Sequence, residues 1–149
     1  VSDQILSTYS TPVREEWIDY NGHLSEAYYV LVFGFATDTA MEALGLGEDY
    51  RAATGCSLYT VEAHVRYVQE VNRDAQLEVR TLVAGSAQKK LHLAHEMRVD
   101  GEVVATEEIL GIHVDQTSGR ATVLPEATRA SAAEHTVPAP AWVGRAVRI

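Results

Sequence analysis

The 149-residue chain predicts an α+β fold in which one long central helix is wrapped by a curved antiparallel sheet. Three observations lead there. An apolar run from Ser25 to Leu44 carries helix-capping residues at both ends. From Ser57 the hydrophobic period shortens to two, the signature of strands. Asp100-Gly101 sits between two such strand-like runs, a strong hairpin signal. The length suffices for one domain with a real core and falls short of two. We expect a single domain over residues 1–136 and a C-terminal tail over 137–149. A long sheet edge left uncovered is a liability, so a homodimer or a dimer of dimers is expected.

Taken in order, Ile5 to Glu16 reads as extended, because Pro12 blocks a helix. The stretch Trp17 to Tyr29 is a glycine-containing turn that feeds directly into the long helix. Ser25 has N-cap chemistry, and Leu24 and Tyr29 have the spacing of a hydrophobic staple. Glu26 suits the positive end of the helix dipole. Gly45 and Leu46 have the residue types of a Schellman ending. Between the caps, Ala27, Tyr28, Val30, Leu31, Val32, Phe33, Phe35 and Ala36 leave almost no polar side, which predicts burial all round. Gly34, Thr37 and Asp38 interrupt the run too much for a membrane span.

Glu48 to Thr54 predicts a short helix or an irregular lid. Thr60 to Val68 alternates polar and apolar, so it should be a strand with one buried face, and Thr60, Glu62, His64 and Arg66 should share the other. Asn72-Arg73-Asp74 is a turn, Gln76 to Ala84 a second strand, and Gly85-Ser86 a turn into a third, Lys90 to Val99. The fourth strand is Val103 to Val114. Gln116 to Gly119 turns again, Ala121 to Leu124 is a short strand, and Ala127 to Glu134 is weakly helical. Pro138 to Trp142 opens a tail expected to pack on a surface or a partner.

A net charge of −9 argues against a nucleic-acid surface, so an anionic ligand needs a local basic patch. The single Cys56 excludes an internal disulfide and reads as a packed thiol. With no signal-peptide pattern at the start, a cytoplasmic location is expected. His92 and His95 fall on opposite strand faces, and His113 and His135 have no companion, so no metal site is expected.

The chemistry centres on Asp19. A carboxylate beside the free N–H groups of a helix start is the minimum equipment for attacking a carbonyl and holding the resulting oxyanion. The aromatic residues Trp17, Tyr20, Tyr28, Tyr29, Tyr59 and Tyr67 are concentrated around this motif and the first meander strand. Most such rings are core; two or three near the site, Tyr20 and Tyr28 foremost, would either enclose a quaternary ammonium group through cation–π contacts or stack on a phenacyl-type acyl group.

Asp19-x-x-Gly22-His23, followed by Tyr28-Tyr29 on a helix and a four-strand meander, resembles the hotdog-fold acyl-CoA thioesterases of the 4-hydroxybenzoyl-CoA thioesterase type over about the first four-fifths of the chain. The longer string Trp17-Ile18-Asp19-Tyr20-Asn21-Gly22-His23, with Ala27-Tyr28-Tyr29, resembles more narrowly the betainyl-CoA thioesterases of carnitine breakdown. The resemblance implies a hotdog fold and hydrolysis of an acyl-CoA thioester, with coenzyme A present as substrate rather than as a cofactor. It implies Asp19 as nucleophile or activator of water, the backbone N–H near Glu26 as oxyanion donor, and His23 as a shaper of the turn or a substrate contact. Trp17, Tyr20, Asn21, Tyr28, Tyr29 and Tyr59 would then surround the acyl group, with Glu62 and His64 offered across a dimer. Arg66, Arg73, Lys89 and Lys90 are the candidates for the coenzyme A nucleotide. The chain departs from the pattern at Leu24-Ser25, where family members often carry Asn, and at Arg73-Asp74, where many have Gly-Asp. A hotdog dehydratase using Asp19 and His23, and a non-catalytic acyl-CoA-binding module, are the alternative readings.

Overall fold

A computed structural model describes residues 4–149; Val1–Asp3, the start of the expected domain, lie outside the described residues. The chain forms β1 (Ser7–Pro12), a 3-10 turn (Glu15–Trp17), α1 (Glu26–Ala43), α2 (Glu48–Thr54), β2 (Cys56–Tyr67), β3 (Gln76–Ser86), β4 (Lys90–Val99), β5 (Glu102–Asp115), β6 (Arg120–Ala121) and α3 (Glu126–His135). The strands make one antiparallel sheet in the order β1-β3-β4-β5-β2, with β6 attached to β5. Helix α1 lies against the concave face, and this is the hotdog arrangement.

The helix ends follow local chemistry. Gly45, with φ +79°, donates its N–H to Glu42 O, and Leu46 donates to Met41 O at 2.8 Å, the two bonds of a Schellman ending. Leu46 is fully buried. Asp100 and Gly101 both take positive φ, as a two-residue type I′ hairpin requires. The core has two parts. Trp17, Leu24, Tyr29 and Phe33 pack with Leu77, Val79 and Met97 near the start of α1. Met41, Leu44 and Leu46 pack with Leu58, Val83, Leu93 and Ile109 near its end.

Several sequence expectations are corrected. Helix α1 is not buried all round: Tyr29, Val32, Phe33, Ala36, Ala40 and Met41 face the sheet, whereas Ala27, Val30, Leu31, Gly34 and Asp38 are exposed. A single sheet covers only one side of a helix, so the other side keeps an apolar stripe. Gly85 is not a turn but marks a register shift inside β3; the chain turns at Ala87–Lys89. The strand expected over Ala121–Leu124 shrinks to the two-residue β6.

Strand β2 departs furthest from its pattern. A bulge between Thr60 and Glu62 leaves Val61 unpaired. Thr60 then lies opposite Gly111 and Glu62 opposite Leu110. Cross-strand partners share a face and adjacent residues do not, so Thr60 is on the other side of the sheet from Glu62, His64 and Arg66. As the outermost strand it is also exposed from Tyr59 to Ala63, so the expected buried face is interrupted.

Candidate active site

The motif folds into a closed turn before α1. Asp19 N–H donates to His23 O at 2.9 Å, and Gly22 N–H donates back to Asp19 O at 3.0 Å. Gly22 has φ +82°, which a side-chain-bearing residue would adopt only under strain. Leu24 N–H donates to Val71 O and Ser25 N–H to Trp17 O, tying the turn to the 3-10 segment and to the chain beyond β2. Asp19 Oδ1 accepts from Asn21 N–H at 2.9 Å and from His23 N–H at 3.3 Å. One carboxylate oxygen is thereby pinned, leaving Oδ2 as the oxygen able to react.

Ser25 occupies the N-cap position, but its hydroxyl makes no capping bond. The expected cap is corrected, with a chemical consequence. The amides of Glu26 and Ala27 make no hydrogen bond among the described residues. A helix start with open amides and the positive end of the dipole is suited to a developing oxyanion.

Asp19, Asn21, His23, Glu26, Tyr29 and Tyr67 line a cleft of about 480 Å³, completed by Leu24 and the Val68–Glu70 segment. Its ionisable walls are Asp19, Glu26, Glu70 and His23, without a lysine or arginine. His23 Nε2 lies 3.2 Å from Glu70 Oε2, and His23 also bridges in strand fashion to Asn72. Tyr29 is buried and donates to Gln69 O at 3.1 Å; its ring meets Tyr67 edge-on, centroids 5.1 Å apart. Burial pushes both phenols above the ordinary tyrosine range.

The remaining candidates are elsewhere. Trp17 is a core residue, and Tyr28 stacks on it at 6.0 Å, outside the cleft. Tyr20 is 96% exposed, so the two rings favoured from sequence are not the ones beside Asp19. Tyr59 bonds to Gln116 and pairs with Ile112, while Tyr67 pairs with Ala105. Seven strand residues separate those positions, roughly 23 Å. Lys90 also pairs with Ile112, which puts Lys89 and Lys90 at that same distant end. Arg73 is held by the Glu15 carboxylate.

Glu62 and His64 line a second cavity, of about 420 Å³, on the outer face of the sheet with His92, Glu108 and the tail. His92 and His95 do face opposite ways: His92 Nε2 contacts Glu108 at 2.7 Å, and His95 is in the core. His113 is fixed in the core by two hydrogen bonds, with Nε2 on Tyr50 OH at 2.8 Å and Nδ1 on Thr122 O at 3.0 Å.

Sequence reasoning missed Glu107. It faces inward from β5 opposite Val65 and His95, is 5% exposed, and makes no hydrogen bond or ion pair among the described residues. Burial raises its carboxyl to about 7. The alternation of Glu107-Glu108 guarantees one inward acid, but only the sheet register tells which.

Comparison with known proteins agrees with this architecture. A profile of the thioesterase-like superfamily matches residues 13–132. The chain is 40% identical to a betainyl-CoA thioesterase of Pseudomonas aeruginosa, over 97% of this chain and 95% of that one. It is 43% identical to an L-carnitine dehydrogenase/betainyl-CoA thioesterase of Agrobacterium fabrum, over 85% of this chain but only 26% of that longer protein. A Staphylococcus aureus protein solved in complex with CoA shares the fold, with a TM-score of 0.88 at 24% identity, covering 95% of this chain and 94% of that one. Sequence, fold and relatives converge: the chain belongs to the thioesterase-like superfamily and is a hotdog-fold acyl-CoA thioesterase.

Proposed function

We propose that the protein hydrolyses betainyl-CoA, with Asp19 delivering the attack on the thioester carbonyl. The observation that carries this reading is the make-up of the cleft: three carboxylates and two tyrosines, without a lysine or arginine in its lining. Such walls disfavour an anionic acyl group and favour a quaternary ammonium. The 40% identity to a betainyl-CoA thioesterase is independent support. Asp19 Oδ2 either attacks the carbonyl carbon, giving a mixed anhydride that water opens, or takes a proton from an attacking water. Both routes pass through a tetrahedral oxyanion received by the amides of Glu26 and Ala27, and both expel the thiolate of coenzyme A. His23, paired with Glu70, holds the turn that aims Asp19.

The working unit in this reading is a homodimer, or a dimer of dimers, built on the free edge of β2. That edge carries Tyr59, Val61 and Tyr67, followed by Val68, at 43–54% exposure. Light scattering should give at least a dimer at micromolar concentration; a monomer would oppose it.

Thiol release across an acyl-CoA panel tests the substrate, with betainyl-CoA expected to lead. Asp19→Asn should keep the fold and lose at least about a hundredfold in kcat, in the range of removing an acid–base or nucleophilic group. Near-normal turnover by the folded variant would sink the role of Asp19. Single-turnover hydrolysis in labelled water tests direct attack: label in the Asp19 carboxylate requires that an anhydride forms and that water opens it at the aspartyl carbonyl, whereas water activation labels the product acid alone.

A further inference from the structure

The acidic cleft poses a question about the other end of the substrate. Coenzyme A carries phosphates, and the cleft that takes its thioester has no cation to meet them. The chain has 12 lysines and arginines. Arg73, Arg80 and Arg98 are paired with Glu15, Glu78 and Glu96. Arg51 and Arg129 donate to the carbonyls of Leu46 and Leu124, and Arg14 lies over the Trp17 ring at 5.5 Å. Lys89, Lys90 and Arg120 sit at the end of the sheet away from Asp19. The other three are Arg66, Arg145 and Arg148. They line one pocket of about 230 Å³ together with His64, and none has a carboxylate partner among the described residues.

We propose that Arg66, Arg145 and Arg148 hold the phosphate groups of coenzyme A while the thioester occupies the Asp19 cleft; the proposal rests on the acyl-CoA activity of the chain. Arg66 and Tyr67 are neighbours in β2, so their side chains leave on opposite faces of the sheet. The basic pocket and the cleft are therefore back to back at one end of the strand, and the pantetheine arm links them where Val68–Glu70 leave the sheet. Thr106 lies opposite Arg66 and has a buried hydroxyl without a partner among the described residues. Guanidinium groups suit phosphate because their paired N–H donors match its oxygens.

Two of the three arginines come from the tail, beyond residue 132 where the superfamily match ends. The tail is anchored for the task. Gly144 N–H donates to Glu108 Oε1 at 2.7 Å, and the other oxygen of that carboxylate contacts His92 Nε2 at 2.7 Å. Arg145 follows directly, so the anchor fixes where the first tail guanidinium starts.

The test is the double variant Arg145→Gln/Arg148→Gln in the full chain, assayed with an acyl-CoA and the matching acyl-pantetheine, which lacks the nucleotide. KM for the acyl-CoA should rise about tenfold or more while KM for the acyl-pantetheine moves less than twofold. An unchanged acyl-CoA KM, or an equal rise for both thioesters, would overturn the proposal. Calorimetric titration with coenzyme A, with adenosine 3′,5′-bisphosphate and with inorganic phosphate needs no hydrolysis. Wild type should bind the first two, and the double variant about tenfold more weakly; binding equal in both proteins would also overturn it. Tight binding of inorganic phosphate alone would assign the pocket to a free anion and refute the coenzyme A assignment. Because this arm is independent of turnover, failure of the betainyl reading and failure of the phosphate site are told apart.

Discussion

If the cleft recognises a positive acyl group, betainyl-CoA should be turned over faster than 3,3-dimethylbutyryl-CoA, in which carbon replaces the quaternary nitrogen. The two acyl groups have the same shape, so their ratio isolates charge. Of the two cleft tyrosines only Tyr67 offers an open ring, at 46% exposure against 4% for Tyr29, so one cation–π contact is available, about 1 kcal/mol. A carboxylate some 6 Å from the cation adds ~0.7 kcal/mol at the dielectric of water and ~3 kcal/mol at an effective value of 20. The cleft is open, so the lower end governs each of Asp19, Glu26 and the His23-paired Glu70. Together these give about 2–3 kcal/mol, or roughly a 30- to 150-fold preference in kcat/KM. Tyr67→Leu should remove about fivefold of that ratio through the cationic substrate alone. Tyr20→Leu should leave the ratio intact, because that ring is in solvent. The assay is initial-rate thiol release with both thioesters. Equal kcat/KM values would refute the electrostatic reasoning and leave acyl-CoA hydrolysis without a betainyl preference.

Glu107 should give a pH signature of its own. Its carboxyl holds a proton in the fold up to about 7 against an ordinary 4.5, so stability falls as pH rises from about 4.5 to 7, by roughly 3 kcal/mol. In urea titrations Glu107→Gln should therefore gain on wild type across that window; a pH-independent difference would refute it. His95 acts in the opposite sense. Thr37 donates to Phe33 O, so its oxygen accepts from His95 Nε2–H at 2.9 Å, while the Thr81 hydroxyl donates to Nδ1 at 2.7 Å. Burial lowers the ring to about 3, so stability is lost as pH falls from about 6.5 toward 3. His95→Gln should flatten that limb and cost stability at pH 7 through the lost stacking on Phe33; an unchanged acid limb would refute it. Gly111→Ala would set a methyl group 2.7 Å from Leu58 Cγ, an overlap worth about 1–3 kcal/mol of destabilisation; a melting temperature equal to wild type would contradict that packing.

What the sequence alone determined is what neighbouring residues decide among themselves. The Ser25–Leu44 helix, the Gly45-Leu46 ending, the Asp100-Gly101 hairpin and the Asp19 turn each depend on residues a few positions apart, whose periodicity and backbone preferences are readable without the fold. The hotdog resemblance rested on the same local strings. What only the tertiary structure decided is which side chains meet. One bulged residue, Val61, reversed the face on which Thr60 stands, because strand faces alternate and a single insertion flips everything beyond it. The rings beside Asp19 are Tyr29 and Tyr67, far apart in the chain, rather than the nearby Tyr20 and Tyr28, because the sheet brings the end of β2 back over the start of α1. Glu107 and its neighbour Glu108 are indistinguishable as letters, yet sheet register buries the first among core residues and sets the second as anchor for the tail. Chain-local chemistry sets each element; the register between distant strands sets the charge and aromatic lining of the cleft.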